Sequence, residues 1–152
     1  MQVVDLFTTF RVEHCYNAYG CILRLCDHER LVLCYSGDTR PCDSLVNACR
    51  GAGRVDLLIH EATFGAGKEE DAKKKKHSTA REACEVARSG GIKAVVLTHF
   101  SQRYQSRGGG GEEGEEGLQV VRAVDFLRLV ITRRVLAMLN DVQKVLDYGD
   151  RS

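Results

Sequence analysis

Residues 30–42 read RLVLCYSGDTRPC, and residues 54–64 read RVDLLIHEATF. In each stretch an apolar run rich in β-forming residues stops at a single carboxylate, Asp38 in the first and Glu61 in the second. Strands that end in this way hold a polar side chain at a fixed place on the edge of a sheet. The two stretches therefore predict two strands, each with a reactive carboxylate at its end.

The same strand and turn signals divide the rest of the chain. Strands are predicted at residues 8–15, 19–26, 30–36, 55–61, 92–100 and 118–131. Helices are predicted at residues 41–51, at 77–91 and from about Arg133 to Tyr148, and residues 65–76 are predicted to be a polar loop. This order of strands and helices indicates a single layered α/β domain.

Composition limits the classes of function. The chain has 152 residues, of which 43% are hydrophobic and 28% charged, as in an ordinary globular domain. The formal net charge is only +1, so any contact with a polyanion must come from a local patch. No apolar run approaches the ~20 residues that a membrane helix needs, and the first residues do not resemble a signal peptide.

The seven cysteines are an odd number, and no two are spaced as CxxC. A disulfide framework or a zinc finger is therefore not expected. We expect a reducing, intracellular environment, without distinguishing nucleus, mitochondrion and cytosol.

Three polar residues near predicted strand ends, His14, Asp38 and His99, could converge on a metal ion if their strands are neighbours. A carboxylate such as Asp38 can also bridge two metal ions, which suits hydrolysis of a phosphodiester. The alternative is that each histidine makes ordinary hydrogen bonds and that the carboxylate caps a turn. Spacing alone leaves both interpretations open.

Glu61 and His77 form a second candidate pair, because a carboxylate bonded to one imidazole nitrogen fixes the tautomer and equips the ring as a general acid. His77 could equally sit beside a helix cap. The run Lys73–Lys76 could contact RNA phosphates or be a solvated loop. Arg103 could hold a phosphate or pair with a surface acid.

Four segments together resemble a known family. In order they are YSGDTRPCDSLV (35–46), DLLIHEATF (56–64), HSTAREA (77–83) and LTHFSQRY (97–104). They resemble the C-terminal part of the long form of ribonuclease Z, the tRNA 3′-processing endonuclease of the metallo-β-lactamase superfamily. The segments VEHCYNAYGCIL (12–23) and RAVDFLRL (122–129) extend the resemblance from about Phe10 to about Val130. The resemblance implies the C-terminal half of a metallo-β-lactamase αββα sandwich.

The resemblance also implies a role for particular residues. His14 and His99 match histidine ligands of the family, and Asp38 matches the aspartate that bridges two zinc ions.

The other matching residues act on the substrate. Glu61 and His77 match the catalytic pair that assists departure of the leaving group, and Arg103 matches an arginine close to the scissile phosphate. The implied cofactor is zinc, with two ions in the complete site, and the implied substrate is precursor tRNA.

The chain departs from the family at one motif. The family's HxHxDH sequence, expected before His14, does not occur in the 152 residues. We therefore expect residues 1–152 to be a partial metallo-β-lactamase domain, with a flexible Gly/Glu-rich insertion at 106–117. We also expect weak zinc binding, no tRNA cleavage by the chain alone, and either self-association or pairing with a chain that carries the missing half.

The function expected from the resemblance is zinc-dependent removal of the 3′ trailer from precursor tRNA, leaving a 3′-hydroxyl. The alternative is a non-catalytic fragment or subunit that binds RNA or a partner chain. The missing HxHxDH motif favours this alternative, and the retained HEAT and HST segments favour the enzyme.

Overall fold

The computed structural model describes residues 4–26, 28–101, 117–125 and 127–149. The strands are β1 (Val4–Arg11), β2 (Tyr19–Leu25), β3 (Val32–Tyr35), β4 (Leu57–Glu61), β5 (Ala94–Thr98) and β6 (Gln119–Arg122). The helices are α1 (Asp43–Gly51), α2 (Glu69–Lys75), α3 (Ala80–Ser89), α4 (Arg133–Leu136) and α5 (Leu139–Gly149). The α/β class is confirmed, and the predicted strands and helices occur in the predicted order, with α2 in addition and the terminal helix divided in two.

The strands form one sheet in the order β1-β2-β3-β4-β5-β6. Strand β2 is antiparallel to both β1 and β3, whereas β3, β4, β5 and β6 are mutually parallel. It follows that β1 runs in the same direction as β3. The C-terminal ends of β1, β3, β4 and β5 therefore lie along one edge of the sheet, which is where ligands commonly bind in open α/β sheets.

The first face of the sheet is covered from β2 to β6. A row of cross-strand neighbours on this face is buried throughout: Ile22, Cys34, Leu58, Val95 and Val120. Helices α1 and α3 pack on it, and their buried side chains belong to the same core cluster. Where the other face is buried as well, as in β4 and β5, the strand is an almost continuous apolar run.

Helix α3 has a helical pattern of apolar residues and a Ser or Thr cap ahead of it, as its sequence predicts. The buried residues Ala80, Ala83, Cys84 and Ala87 recur at helical spacing and face the sheet. Thr79 caps its start, since the Thr79 side chain accepts from the Glu82 backbone and the Glu82 side chain accepts from the Thr79 backbone.

The second face is covered only in part. Leu136 and Leu139 pack with Leu57, Val96 and Val121. At the opposite side of this face, Phe7 and Tyr35 are 61% and 44% exposed. The C-terminal helices thus cover the β6 side of the face and leave apolar side chains of β1 and β3 in contact with solvent.

Three predicted elements differ from the structure. Residues 65–76 are not a loop throughout, because Glu69–Lys75 form α2. Acidic residues fill its first turn and lysines its last, which suits the helix dipole, and Ala72 is buried. The strand predicted at 118–131 is limited to Gln119–Arg122, and the predicted terminal helix is divided into α4 and α5.

Of the helices in the described ranges, none combines the length and the apolar character that crossing a bilayer requires. The predicted RNA-binding residue Arg103 lies outside the described residues, as does the Gly/Glu-rich insertion except Gly117.

Candidate active site

The site lies along the edge where strands of the same direction end. His14 follows β1, Asp38 follows β3, Glu61 is the last residue of β4 and His99 follows β5. The fifth residue, His77, lies between α2 and α3. The strand directions therefore bring together residues that are as far as 85 positions apart in sequence, the separation of His14 and His99.

The loop that carries Asp38 is held in a tight turn. Gly37 has a φ of +62°, and a Cβ atom there would lie 2.8 Å from the Tyr19 carbonyl oxygen. This position therefore requires glycine. Beyond Asp38, the Thr39 hydroxyl accepts from the Glu13 N–H at 3.1 Å, and the Arg40 N–H donates to the Glu13 carbonyl at 2.9 Å. These bonds place the segment of His14 beside the segment of Asp38.

Glu61 is a buried carboxylate with five hydrogen-bond partners. Its side chain is 1% exposed. Backbone N–H groups donate to it from Thr39 and Thr63, both at 3.0 Å, and from Ser78 at 3.2 Å. The Thr63 hydroxyl donates at 2.7 Å, and His77 Nδ1 lies at 2.8 Å. Since a carboxylate must be satisfied when it is buried, Glu61 fixes three loops relative to one another.

His77 is held by its ring and by its backbone. A carboxylate oxygen accepts a hydrogen bond, so its contact with Glu61 places the ring hydrogen on Nδ1 and leaves Nε2 available. The Arg40 guanidinium donates to the His77 carbonyl at 2.7 Å and pairs with both oxygens of Glu82.

The Arg40–Glu82 pair ties the Asp38 loop to the start of α3. Both side chains are less than a fifth exposed. Burial alone would raise the pKa of Glu82, but the hydrogen bonds from Arg40 and Thr79 outweigh it and hold that pKa below its ordinary value. The paired carboxylate in turn raises the pKa of Arg40.

His14 and His99 flank His77 on either side. The ring centroid of His77 is 4.6 Å from that of His14 and 5.6 Å from that of His99. His14 Nδ1 lies 2.8 Å from the Lys76 carbonyl oxygen, which can only accept. The hydrogen of the His14 ring is therefore on Nδ1, and its Nε2 is free to bind a metal ion.

His99 occupies a strained backbone conformation. Its φ of +62° lies in the left-handed region, which costs a residue with a Cβ atom about 1–2 kcal/mol. Its Nδ1 lies 3.4 Å from Asp38 Oδ1, and the two side chains are 51% and 39% exposed. The strain thus occurs at a residue that faces a carboxylate on an open edge of the molecule.

Among the residues that the structure describes, two groups of three place their ligand atoms within 4.8 Å of one another: His14, Asp38 and His77, and Glu61, His77 and His99. The predicted metal ligands His14, Asp38 and His99 therefore do not form one group of their own. They are divided between two groups that share His77. Imidazole nitrogen and carboxylate oxygen are ligands that zinc accepts, so the residues present fit that metal.

Sequence reasoning did not select Thr63 or Arg40. The Thr63 hydroxyl contacts Glu61, His77 and His99, and Arg40 holds the backbone of His77. Their positions inside the HEAT and SGDTR segments were the available signal. His60 is paired with Leu97 on the face of the sheet that α1 and α3 cover, is fully buried and bonds through Nδ1 to the Glu61 carbonyl at 2.7 Å, so it does not reach the site.

Comparison with known proteins finds relatives that match part of this chain. Ribonuclease Z of Methanothermobacter thermautotrophicus is 58% identical over 73 residues, which cover 48% of this chain and 23% of that protein. The mitochondrial tRNase Z TRZ4 of Arabidopsis thaliana is 44% identical over 104 residues, which cover 63% of this chain and 11% of the relative. The chain is similar to part of ribonuclease Z.

Solved structures agree with the ribonuclease Z similarity. A long-form RNase Z from yeast superposes with a TM-score of 0.72 at 29% identity, over 97% of this chain and 20% of the yeast chain. The human short-form tRNase Z gives a TM-score of 0.65 at 30% identity, over 87% of this chain and 45% of the human one.

The metallo-β-lactamase fold protein YhfI of Bacillus subtilis gives a TM-score of 0.53 at 24% identity, over 63% of this chain and 37% of that one, and bears on the fold alone. No protein-family model matches the chain. The predicted resemblance to ribonuclease Z and the predicted metallo-β-lactamase fold are confirmed, and the chain spans a quarter or less of the two curated relatives named above.

Proposed function

We propose that this chain forms part of a zinc-dependent endoribonuclease that removes the 3′ trailer from precursor tRNA and leaves a 3′-hydroxyl. The observation that carries the proposal is the meeting of His14, Asp38, His77 and His99 on one sheet edge. Its further support is the similarity to proteins named ribonuclease Z and tRNase Z.

In this proposal His14, Asp38 and His99 would hold zinc, and Asp38 would be the carboxylate available to two ions. The Nδ1–H of His14 is occupied by the Lys76 carbonyl, so Nε2 is the ligand atom. When bound, zinc supplies Lewis-acid polarisation of a phosphate and lowers the pKa of water.

His77 acts as the general acid. Glu61, 2.8 Å from Nδ1, accepts the Nδ1–H hydrogen bond. When the ring is doubly protonated, the second proton, on Nε2, can pass to the departing oxygen of the RNA, and the Nδ1–H remains bonded to Glu61. Its ring is only 15% exposed, which limits competition from solvent. Arg103, four residues beyond His99, is proposed to bind the substrate phosphate.

The remaining metal ligands come from outside these 152 residues. A stable zinc site needs about four ligands, and three shared between two ions are too few. We propose that the missing N-terminal half of the domain, in the same polypeptide or in a partner chain, packs on the partly uncovered face of the sheet. The alternative occupant of this face is a second copy of this chain. The exposed Phe7 and Tyr35 support this position.

A chimera tests the proposal. The segment of the Methanothermobacter ribonuclease Z that corresponds to residues 12–104 of this chain is replaced by those residues, and trailer removal from a precursor tRNA is measured with zinc present. We expect cleavage that leaves a 3′-hydroxyl, and we expect the His77→Gln chimera to be at least ~100-fold slower.

Two outcomes would contradict the proposal. A chimera that binds precursor tRNA without cleaving it would favour the non-catalytic alternative. Robust cleavage by the 152-residue chain alone would contradict the dependence on ligands from outside it.

A further inference from the structure

The Thr63 hydroxyl lies at the centre of the site. Its Oγ1 is 2.7 Å from Glu61 Oε2, 2.9 Å from His99 Nδ1 and 3.2 Å from His77 Nδ1. The Thr63 N–H also donates to Glu61 at 3.0 Å, so the residue is fixed at its backbone as well as its side chain. One half-buried hydroxyl therefore contacts both members of the acid pair and one predicted metal ligand.

The hydrogens at this hydroxyl can be assigned by counting them. A hydroxyl has one hydrogen to donate and two lone pairs. Its shortest contact is with a carboxylate, which can only accept and binds a donor more strongly than a neutral imidazole does. The hydrogen therefore points to Glu61, and Oγ1 accepts from His99 Nδ1 at 2.9 Å. The Nδ1–H of His77 donates to Glu61 at 2.8 Å, and its 3.2 Å approach to Oγ1 is the longer branch of a shared bond.

The same counting of donors and acceptors determines which ring nitrogen of His99 carries the hydrogen. Its Nδ1 faces Thr63 Oγ1 at 2.9 Å and Asp38 Oδ1 at 3.4 Å, and both are acceptors. The hydrogen of the neutral ring is then on Nδ1, and the lone pair of Nε2 remains available. All three histidines of the site have the same tautomer, but each is held by a different acceptor.

We infer that Thr63 is a positioning residue whose hydroxyl holds His99 in the Nδ1–H tautomer and links that histidine to the Glu61–His77 pair. The inference rests on the proposed function only for the use of this tautomer, which is to present Nε2 to zinc. The hydrogen-bond geometry itself belongs to the protein without metal.

The contacts of the Thr63 hydroxyl also explain one of the two candidate metal groups. Glu61, His77 and His99 approach one another because each bonds to Thr63. Their close atoms are already engaged with the hydroxyl, so this group is a hydrogen-bonded network rather than a second metal site. The Nε2 of His99 then remains the nitrogen that is available as a ligand.

Nitrogen NMR of the metal-free, ¹⁵N-labelled chain tests the inference. Two-bond proton–nitrogen spectra at about pH 8, where an ordinary imidazole is neutral, distinguish protonated from bare ring nitrogens. His99 signals are assigned by their loss in His99→Gln. We expect a protonated Nδ1 and a bare Nε2 in the wild type and in Thr63→Ser, which keeps the hydroxyl.

Thr63→Val keeps the shape and removes the hydroxyl, so we expect it to lose the protonated-type shift at His99 Nδ1. Thr8→Val, at an exposed threonine of β1, is the matched control and should leave His99 unchanged. If Thr63→Val does not fold, Thr63→Ala replaces it in the comparison with Thr63→Ser.

A wild-type His99 with its hydrogen on Nε2, or a hydroxyl-free variant with an unchanged His99 tautomer, would overturn the inference. Neither result depends on RNA cleavage. Failure of the chimera with the expected tautomers would instead contradict the proposed function and leave the role of Thr63 intact.

Discussion

Asp38 and Glu61 arise from the same sequence pattern and have opposite surroundings. Each is a carboxylate that follows an apolar strand, and the two strands are parallel neighbours. Glu61 is 1% exposed and accepts from five groups. Asp38 is 39% exposed, and His99 lies 3.4 Å from it.

The difference in burial separates a structural role from a ligand role. A carboxylate whose oxygens are saturated by protein donors holds loops in place and has no lone pair free for a metal ion. A carboxylate on the open edge with little engagement is available as a ligand. The same pattern therefore supplies one framework residue and one candidate metal ligand, and the following variants test that division.

The largest expected effect is on stability in Glu61→Ala. This change leaves the N–H groups of Thr39, Thr63 and Ser78 without their acceptor, and an unsatisfied buried donor costs about 1–3 kcal/mol. We expect the free energy of unfolding to fall by about 4 kcal/mol, measured by urea denaturation. Asp38→Ala is the matched variant and should change it by less than about 0.5 kcal/mol. Equal losses of unfolding free energy in Glu61→Ala and Asp38→Ala would contradict the assignment of a structural role to Glu61 alone.

Zinc affinity, in contrast to stability, should depend on Asp38. In chelator competition with the 152-residue chain we expect Asp38→Ala to weaken binding at least about tenfold, because a ligand is lost. Glu85→Gln, at an exposed carboxylate of α3 that pairs with Arg81, should bind zinc as the wild type does. Unchanged affinity in Asp38→Ala would exclude Asp38 as a ligand.

The third prediction concerns how the two loops are held together. Arg40→Lys loses the forked contact with Glu82 and the bond to the His77 carbonyl, and we expect a loss of about 1–2 kcal/mol in urea denaturation. Arg81→Lys makes the same change in an exposed pair with Glu85 and should lose less than about 0.5 kcal/mol. A loss in Arg40→Lys no greater than that control would show that the pair is dispensable.

The smallest effect is a pH dependence from His60, the neighbour of Glu61 on the buried face. Burial lowers the pKa of His60 below 6.5, against the opposing effects of the Glu61 carbonyl and of nearby carboxylates. Below about pH 6.5 His60 binds a proton in the unfolded chain but remains neutral in the folded chain. The contribution of His60 to stability is therefore complete above that pH and declines below it. We expect a loss of up to about 1 kcal/mol between pH 7 and pH 6.

Urea denaturation at the two pH values measures this loss. His60→Leu should remove it, and His28→Gln, at a histidine whose side chain is 87% exposed, should retain it. A His60→Leu variant with the wild-type slope would assign the dependence to another group.

The sequence predicted the framework better than the contacts within it. Local patterns were sufficient for the strands that carry Asp38 and Glu61 and for the capped helix α3. They were insufficient for α2, because a run of charged residues was interpreted from its polarity rather than from the order of its charges along the helix dipole.

The contacts that position the site depend on distant residues. Arg40 pairs with Glu82, 42 positions away, and Thr63 meets His99, 36 positions away. No local spacing shows which acid an arginine will face or which imidazole a hydroxyl will contact. The family resemblance pointed to His14, Asp38 and His99, but the sharing of His77 between two groups required the three-dimensional arrangement.

Anomalous diffraction from zinc-soaked crystals of this chain tests the central claim most directly. The claim is that His14, Asp38 and His99, which lie on one edge of the sheet, hold the metal. We expect a zinc peak within about 2.0–2.2 Å of nitrogen or oxygen atoms from these residues. Zinc bound only elsewhere, for example at the exposed His28, would contradict the account.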